Sequence, residues 1–269
     1  MLYLIGTPIG NMGDITLRAI ETLRAVDVVA CEDTRRTGLL LQKLDIRKPL
    51  FSYYKHKEQE GTEAILTMLK AGKDVALVSD AGMPVISDPG SVLVQAARKE
   101  GLAVTVVPGP TAVTSALCLA GLTGGFVFVG FLSDKHKERE RQLVPYLTSP
   151  DTLVFYCATH DLASTFDYLL QRLGDRAVWV VKELTKVYET VVPTRLSAPI
   201  DFDEHGEFVL LVEGKAEGDS TNLTPEEHVR RYMAMGLSKK DAVKAVAKER
   251  GVPRDEIYKA ALLIDDETV

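Results

Sequence analysis

Over the first 120 positions, short apolar runs alternate with stretches of helical period. The runs Leu2–Gly6, Val26–Cys31, Leu50–Ser52, Val75–Ser79 and Val104–Val107 predict strands. The stretches Ile15–Arg24, Arg35–Leu44, Glu58–Ala71, Ser91–Glu100 and Thr111–Leu119 predict helices. In the first of these, Leu17, Ile20 and Leu23 recur against Glu21 and Arg24 with the spacing of two helix faces. Asp14 and Thr16 are candidate starting caps. Strands alternating with helices imply βαβ units and a mainly parallel sheet.

Gly121-Leu122-Thr123-Gly124-Gly125 breaks the pattern and reads as a linker. Beyond it, Phe126–Phe131, Thr152–Tyr156, Ala177–Lys182 and Phe208–Val212 predict strands, and Lys137–Leu147 and Leu162–Leu173 predict helices. Tyr188–Leu196 is a further strand candidate, and Pro193 puts it near a sheet edge. Ala216–Asn222 is a second candidate linker. In the tail, Thr224-Pro225-Glu226-Glu227 has the form of a strong helix start, with proline in the first turn and acids at the positive dipole end. Ser238 and Asp241 open a second helix to Arg250, Gly251 ends it, and Pro253 opens a third through Leu263. The expected organisation is an N-terminal α/β domain over 1–120, a second over 125–215 and a helical module over 222–269. That module is either helix-turn-helix-like or a stabilising cap; its balanced charges give no basic stripe for duplex binding.

Charge narrows the function. A net charge of −6 argues against a general nucleic-acid coat, while leaving room for a local basic patch. Lys135-His136-Lys137-Glu138-Arg139-Glu140-Arg141 mixes signs and reads as a solvated helix face whose basic members can touch RNA phosphates. Cys31, Cys118 and Cys157 lack metal-ligand spacing and read as reduced, mostly buried thiols, so no metal is expected. His56, His205 and His228 read as surface residues. The apolar start Leu2–Ile5 is too short for a signal peptide, and no run approaches a membrane span, so a soluble cytoplasmic protein is expected.

Chemistry concentrates where strands end. Gly6-Thr7-Pro8-Ile9-Gly10-Asn11 is a strand–turn–helix junction of the kind that forms ligand crevices in α/β sheets, yet it is neither a dinucleotide fingerprint nor a phosphate loop. Cys31-Glu32-Asp33-Thr34-Arg35-Arg36 is a charged rim, or a helix cap with solvated arginines. Ser79-Asp80-Ala81-Gly82-Met83-Pro84-Val85-Ile86-Ser87-Asp88-Pro89-Gly90 is a long loop rich in residues that fix unusual backbone; ordering it costs entropy that a ligand would explain. Val107-Pro108-Gly109-Pro110-Thr111-Ala112 is another such loop.

Taken together, TPIGNMGDIT, EDTR, ALVSDAGMPVISDPG, VPGPTA, FVGFLSDK and KELTK resemble the ribosomal RNA small-subunit methyltransferase I family, within the tetrapyrrole methylase-like superfamily. The resemblance is collinear over residues 1 to about 214. It implies a two-domain α/β fold with a small helical module, S-adenosylmethionine held in a cleft, a homodimer, and methylation of a cytidine ribose 2′-oxygen in small-subunit RNA. It places the methyl donor against Pro8, Gly10, Asp80, Ala81, Gly82, Met83, Ile86, Thr111 and Ala112, with Tyr156, Val181 and Phe208 from the second domain. Two segments depart from the family pattern. Phe155-Tyr156-Cys157-Ala158-Thr159-His160-Asp161 lacks the glutamate and arginine of F-Y-E-S-P-H-R, and the arginine–glycine pair expected after Glu189 is absent.

For the chemistry, Lys182, Glu183 and Lys186 are the candidates in the second domain, and Asn11, Asp33 and Arg35 are their counterparts across the cleft. A lysine would polarise the hydroxyl while Arg35 clamps a neighbouring phosphate. An ordinary surface ion pair at Lys182 and Glu183 is the competing account. Other readings stay open: a tetrapyrrole-type small-molecule methyltransferase, and a nicotinamide-dependent oxidoreductase using Glu32 and Asp33 on the ribose. A non-catalytic RNA-binding protein is disfavoured by the acidic charge.

Overall fold

The computed structural model describes residues 1–199, 206–215, 223–262 and 264. The expected linker Ala216–Asn222, His205 and Leu263 lie outside the described residues. The chain divides into two compact units, and contacts group Val181–Val191 and Glu207–Val209 with Met1–Leu122 in the first.

The first unit holds β1 (Leu2–Ile5), α1 (Leu17–Ala25), β2 (Val28–Cys31), α2 (Thr34–Lys43), β3 (Leu50–Ser52), α3 (Glu58–Lys70), β4 (Val75–Val78), α4 (Ser91–Lys99), β5 (Val104–Val107) and α5 (Ala112–Leu119). The sheet order is β3-β2-β4-β1-β5, with every pair parallel. Successive side chains of a strand point to opposite faces. In β4, Val75 and Leu77 enter one apolar core with Leu93 and Ala97 of α4 and Ile65 of α3. Ala76 and Val78 enter the other with Leu23 of α1 and Leu41 of α2. Helices therefore cover both faces, which is why β2 and β4 are apolar at every position. Thr16 caps α1, accepting from the Ala19 N–H at 3.1 Å, while Asp14 lies in a preceding 3-10 turn.

A second five-stranded sheet runs β6-β7-β10-β8-β9, from β6 (Phe126–Phe131), β7 (Thr152–Ala158), β8 (Ala177–Lys182), β9 (Thr190–Arg195) and β10 (Glu207–Val212). The strand carrying Pro193 is at an edge, where a missing N–H costs no ladder bond. The helix expected over 137–147 is shorter: α6 (His136–Leu143) ends before Pro145 and a 3-10 turn follows. α7 (Leu162–Leu173) follows β7.

The tail forms α8 (Pro225–Ala234), α9 (Lys239–Arg250) and α10 (Arg254–Ala261), grouped with the second unit. Thr224 and Glu227 make a reciprocal capping box. His228 is fully buried rather than on the surface. Its Nδ1 accepts from Arg250 Nε at 3.0 Å, and its Nε2 lies 3.2 Å from Glu249. Helical period alone did not mark it as inward, because its neighbours Glu226, Glu227 and Arg230 are polar. Cys31 and Cys157 are buried and Cys118 is exposed.

Candidate functional site

β4, β1 and β5 are adjacent and parallel, so the loops leaving their carboxyl ends emerge side by side. The Thr7 N–H donates to the Gly82 carbonyl at 2.9 Å, and the Gly82 N–H to the Thr7 carbonyl at 3.1 Å. The Thr7 hydroxyl donates to the Ser79 carbonyl and the Ser79 hydroxyl to the Gly82 carbonyl, both at 3.1 Å. Both hydroxyls are buried and satisfy carbonyls that the sheet no longer reaches. The β5 loop joins at Gly6 and Gly109, where a Cβ on Gly6 would stand 2.7 Å from the Gly109 Cα and from the Met83 sulfur.

The β4 loop is strained. Gly82 has φ 79°, which glycine adopts freely, but Val85 at 79° and Ser87 at 67° are left-handed without that freedom. Such residues cost on the order of 1–3 kcal/mol each and cluster at ligand sites. The loop also leaves Ala81 and Ile86 exposed, with Ile86 at 53%. Pro8 and Met83 are half-buried beside them, and Thr111 caps α5 through the Thr114 N–H.

Carboxylates gather at the same strand ends. Asp33 caps α2, accepting from the Arg35 N–H at 2.8 Å, and Arg35 folds back onto it through Nη2 at 2.7 Å. These contacts hold the Asp33 carboxyl well below its usual range. Arg36 pairs with Asp80 at 3.2 Å, and the Asp33 N–H reaches Asp80 at 3.4 Å. Asp88 is pushed up to about 6, mainly by burial and then by Glu32 and Asp80. Across the loop, Glu58 of α3 accepts from the Gly90 N–H at 2.8 Å and from Tyr53 at 3.2 Å, which fixes the end of the loop.

Also in the first unit, Lys186 donates to Glu183 at 2.9 Å and to Glu207 at 3.1 Å. Glu183 and Glu207 exchange further bonds, Glu207 N–H to the Glu183 carboxylate at 2.9 Å and Glu183 N–H to the Glu207 carbonyl at 3.0 Å. Burial works against the Lys186 charge, but the two carboxylates outweigh it and raise its pKa; burial likewise opposes the Glu183 charge, and Lys186 with the Glu207 N–H outweighs it and lowers the Glu183 pKa. Lys186 is thus a permanent cation, not a base. Gly10 lies against it: a Cβ there would be 2.7 Å from Lys186 Cγ and from Thr185 Oγ1. Thr185 Oγ1 is buried with no hydrogen-bond partner among the described residues. The Lys182 ammonium lies 5.9 Å from the centre of the Phe208 ring.

The first unit therefore gathers Pro8, Gly10, Asp80, Ala81, Gly82, Met83, Ile86 and Thr111 on its strand-end loops and Ala112 at the start of α5, with Asp33 beside Asp80, Arg35 on Asp33 and Lys186 beside Gly10. Asn11 is exposed and caps a turn, accepting from the Gly13 N–H at 2.9 Å. Val181 and Phe208 are buried in the same unit. Tyr156 belongs to the second unit, packed edge-on against Phe128 at 4.9 Å. Sequence reasoning flagged the segments that hold Thr7, Ser79, Arg36 and Asp88 without singling out these residues, and it missed Glu207. Thr7 and Ser79, small hydroxyl residues at strand ends, were detectable; Glu207, 24 positions from Glu183, carried no local signal.

Residues 1–199 match the family model described as Tetrapyrrole (Corrin/Porphyrin) Methylases. The chain is 44% identical over 268 residues to ribosomal RNA small subunit methyltransferase I of Halalkalibacterium halodurans, covering 96% of this chain and 93% of that protein. It is 41% identical to the Bacillus subtilis protein of the same name, covering 97% and 93%. Among solved structures it resembles uroporphyrin-III C-methyltransferase from Thermus thermophilus complexed with S-adenosylhomocysteine, at TM-score 0.56 and 24% identity, covering 78% of this chain and 96% of that one.

Proposed function

Because the chain belongs to the ribosomal RNA small subunit methyltransferase I family, whose fold is that of the tetrapyrrole methylases, we propose that it methylates the ribose 2′-oxygen of a cytidine in small-subunit ribosomal RNA, with S-adenosylmethionine as donor. The observation that carries this reading is the junction of three strand-end loops at Thr7–Gly82 and Gly6–Gly109. Its residues fit the donor. Pro8, Met83 and Ile86 offer apolar surface, and the closely packed glycines let main chain rather than side chain line the site. Glu32, Asp80 and Asp88 favour a cationic ligand and oppose a pyrophosphate, which weighs against a nicotinamide dinucleotide. We place the donor against these loops, with Val181 and Phe208 of the same unit as further contacts.

The donor supplies a methyl group already activated by the positive charge on sulfur. The chain's task is then alignment, which contributes up to about 7–11 kcal/mol when reacting atoms are held roughly 3–3.5 Å apart. Lys186, held by Glu183 and Glu207, is a fixed cation able to lower the pKa of a hydroxyl brought beside it. Arg35, with 88% of its side chain exposed, is free to swing from Asp33 to an RNA phosphate. Lys182 and Asn11 complete the proposed set. A homodimer would cover Leu17, Leu39 and Val106, apolar side chains left open on the first unit; sedimentation tests this. A cytoplasmic setting accords with the substrate, and among the described residues no helix is long and apolar enough to cross a membrane.

The decisive experiment is to disrupt the protein in its host and map ribose methylation across small-subunit RNA. Loss of one methyl group identifies the target; an unchanged map refutes the assignment. Calorimetry with S-adenosylhomocysteine and NAD separates donor classes, and tight NAD binding alone would reverse them.

A further inference from the structure

The chain is acidic, so an RNA substrate needs a local cationic seat. In the second unit, a cavity of about 430 Å³ lies between α6, α7 and the turn at Gly236, and Arg139 and Arg172 line it. Arg172 is 9% exposed. Among the described residues, the Nε atoms of both arginines are buried without a hydrogen-bond partner. Two arginines lining one cavity, neither fixed through its Nε edge, leave guanidinium N–H groups that an anion seated there would draw in and satisfy.

The charges around the cavity agree. The acids of α6 are already engaged: Glu138 accepts from Ser133 at 3.0 Å and Lys135 at 3.2 Å, and Glu140 accepts from Tyr168 at 2.8 Å and from Arg172. Among the described residues, Lys137 and Arg139 form no ion pair with a carboxylate, while the Arg141 charge acts on Glu138. Arg139 is held in place by the Tyr168 ring, 4.4 Å from its guanidinium carbon to the ring centre. Asp167 also lines the cavity and forms no ion pair among the described residues.

We infer that this cavity seats a backbone phosphate of the RNA substrate, with the Arg139 and Arg172 guanidinium groups donating to its oxygens. The inference rests on the RNA methyltransferase reading for the identity of the anion. The test measures binding of a small-subunit RNA transcript to the full chain over a range of salt, which requires no methyl transfer, alongside calorimetry with S-adenosylhomocysteine. Arg139→Gln is expected to weaken RNA binding about fivefold or more and to reduce the salt slope by about 1, uniformly across sequences, with S-adenosylhomocysteine affinity unchanged. Arg139→Lys is expected to recover most of the loss. Asp167→Asn is expected to tighten RNA binding about threefold, a gain that misfolding does not produce. RNA affinity and salt slope unchanged in both Arg139→Gln and Asp167→Asn overturn the inference. A wild-type chain that binds RNA through Arg139 but not S-adenosylhomocysteine would instead overturn the methyltransferase reading.

Discussion

Asp88→Asn probes the acidic strand ends directly. In the folded chain the Asp88 carboxyl is pushed from 3.8 to about 6, first by burial, then by Glu32 and Asp80. The Ser79 hydroxyl opposes the shift, but its one proton is shared with the Gly82 and Ala81 carbonyls. At neutral pH the native state therefore carries a charge that the unfolded chain accommodates more easily. Each pKa unit corresponds to about 1.4 kcal/mol. Solvent still reaches the group, and screening reduces the full conversion to roughly 1–2 kcal/mol. The sign follows from proton uptake. A raised carboxyl pKa means the native state binds more protons between about pH 4 and 6, so stability falls as pH rises through that window and then levels off. Asn keeps the shape and removes the charge. The variant should be more stable than wild type at pH 7.5 by roughly 1–2 kcal/mol, raising Tm by about 3–6 °C, with little difference at pH 4. Calorimetric melts at both pH values measure this. Equal or lower Tm at pH 7.5 would refute the argument. A charge kept at such a cost belongs to a site that uses it, so the stabilised variant should bind S-adenosylhomocysteine several-fold more weakly.

The other expectations concern packing, capping and chemistry. Gly6→Ala puts a methyl group 2.7 Å from the Gly109 Cα, backbone that cannot swing aside; a loss of about 1–3 kcal/mol is expected from denaturant unfolding, with donor binding impaired. Gly82→Val meets both a positive φ and the Ile9 side chain at 3.3 Å, and should abolish S-adenosylhomocysteine binding in calorimetry. Lys186→Ala leaves Glu183 and Glu207 facing each other and should keep donor affinity while losing at least about tenfold in single-turnover rate. Thr224→Ala removes the α8 capping box and should cost about 1 kcal/mol in thermal melts.

The first sheet was legible because its signals are local. Its strands are short, mainly apolar runs and its helices keep one period, so β3 and β5 fall on the positions read from sequence, as does β6 of the second sheet. Gly82 was readable as a backbone device because aspartate, glycine and proline crowd around it. What could not be read is whatever depends on residues far apart in sequence. The burial of His228 follows from Glu249 and Arg250, on the next helix. The pairing of Lys186 with Glu207 spans 21 positions, and the close approach of Gly6 to Gly109 spans most of the first unit. Arg35 was read as a phosphate clamp, and the structure shows its resting partner, Asp33.

The first unit is not one stretch of chain. Val181–Val191 and Glu207–Val209 return to it after the chain has entered the second unit. Lys186, packed on Gly10, thus arrives late in synthesis. A nascent chain ending near residue 122 carries the three strand-end loops but lacks Lys186 and both carboxylates that hold it. Since chains emerge from the amino end, the loops must wait for about a further 85 residues, several seconds at least of elongation, before the centre closes. A half-made polypeptide can thus display the strand-end loops without the Lys186 cation beside them, and the proposed site is completed only once the chain has passed Glu207.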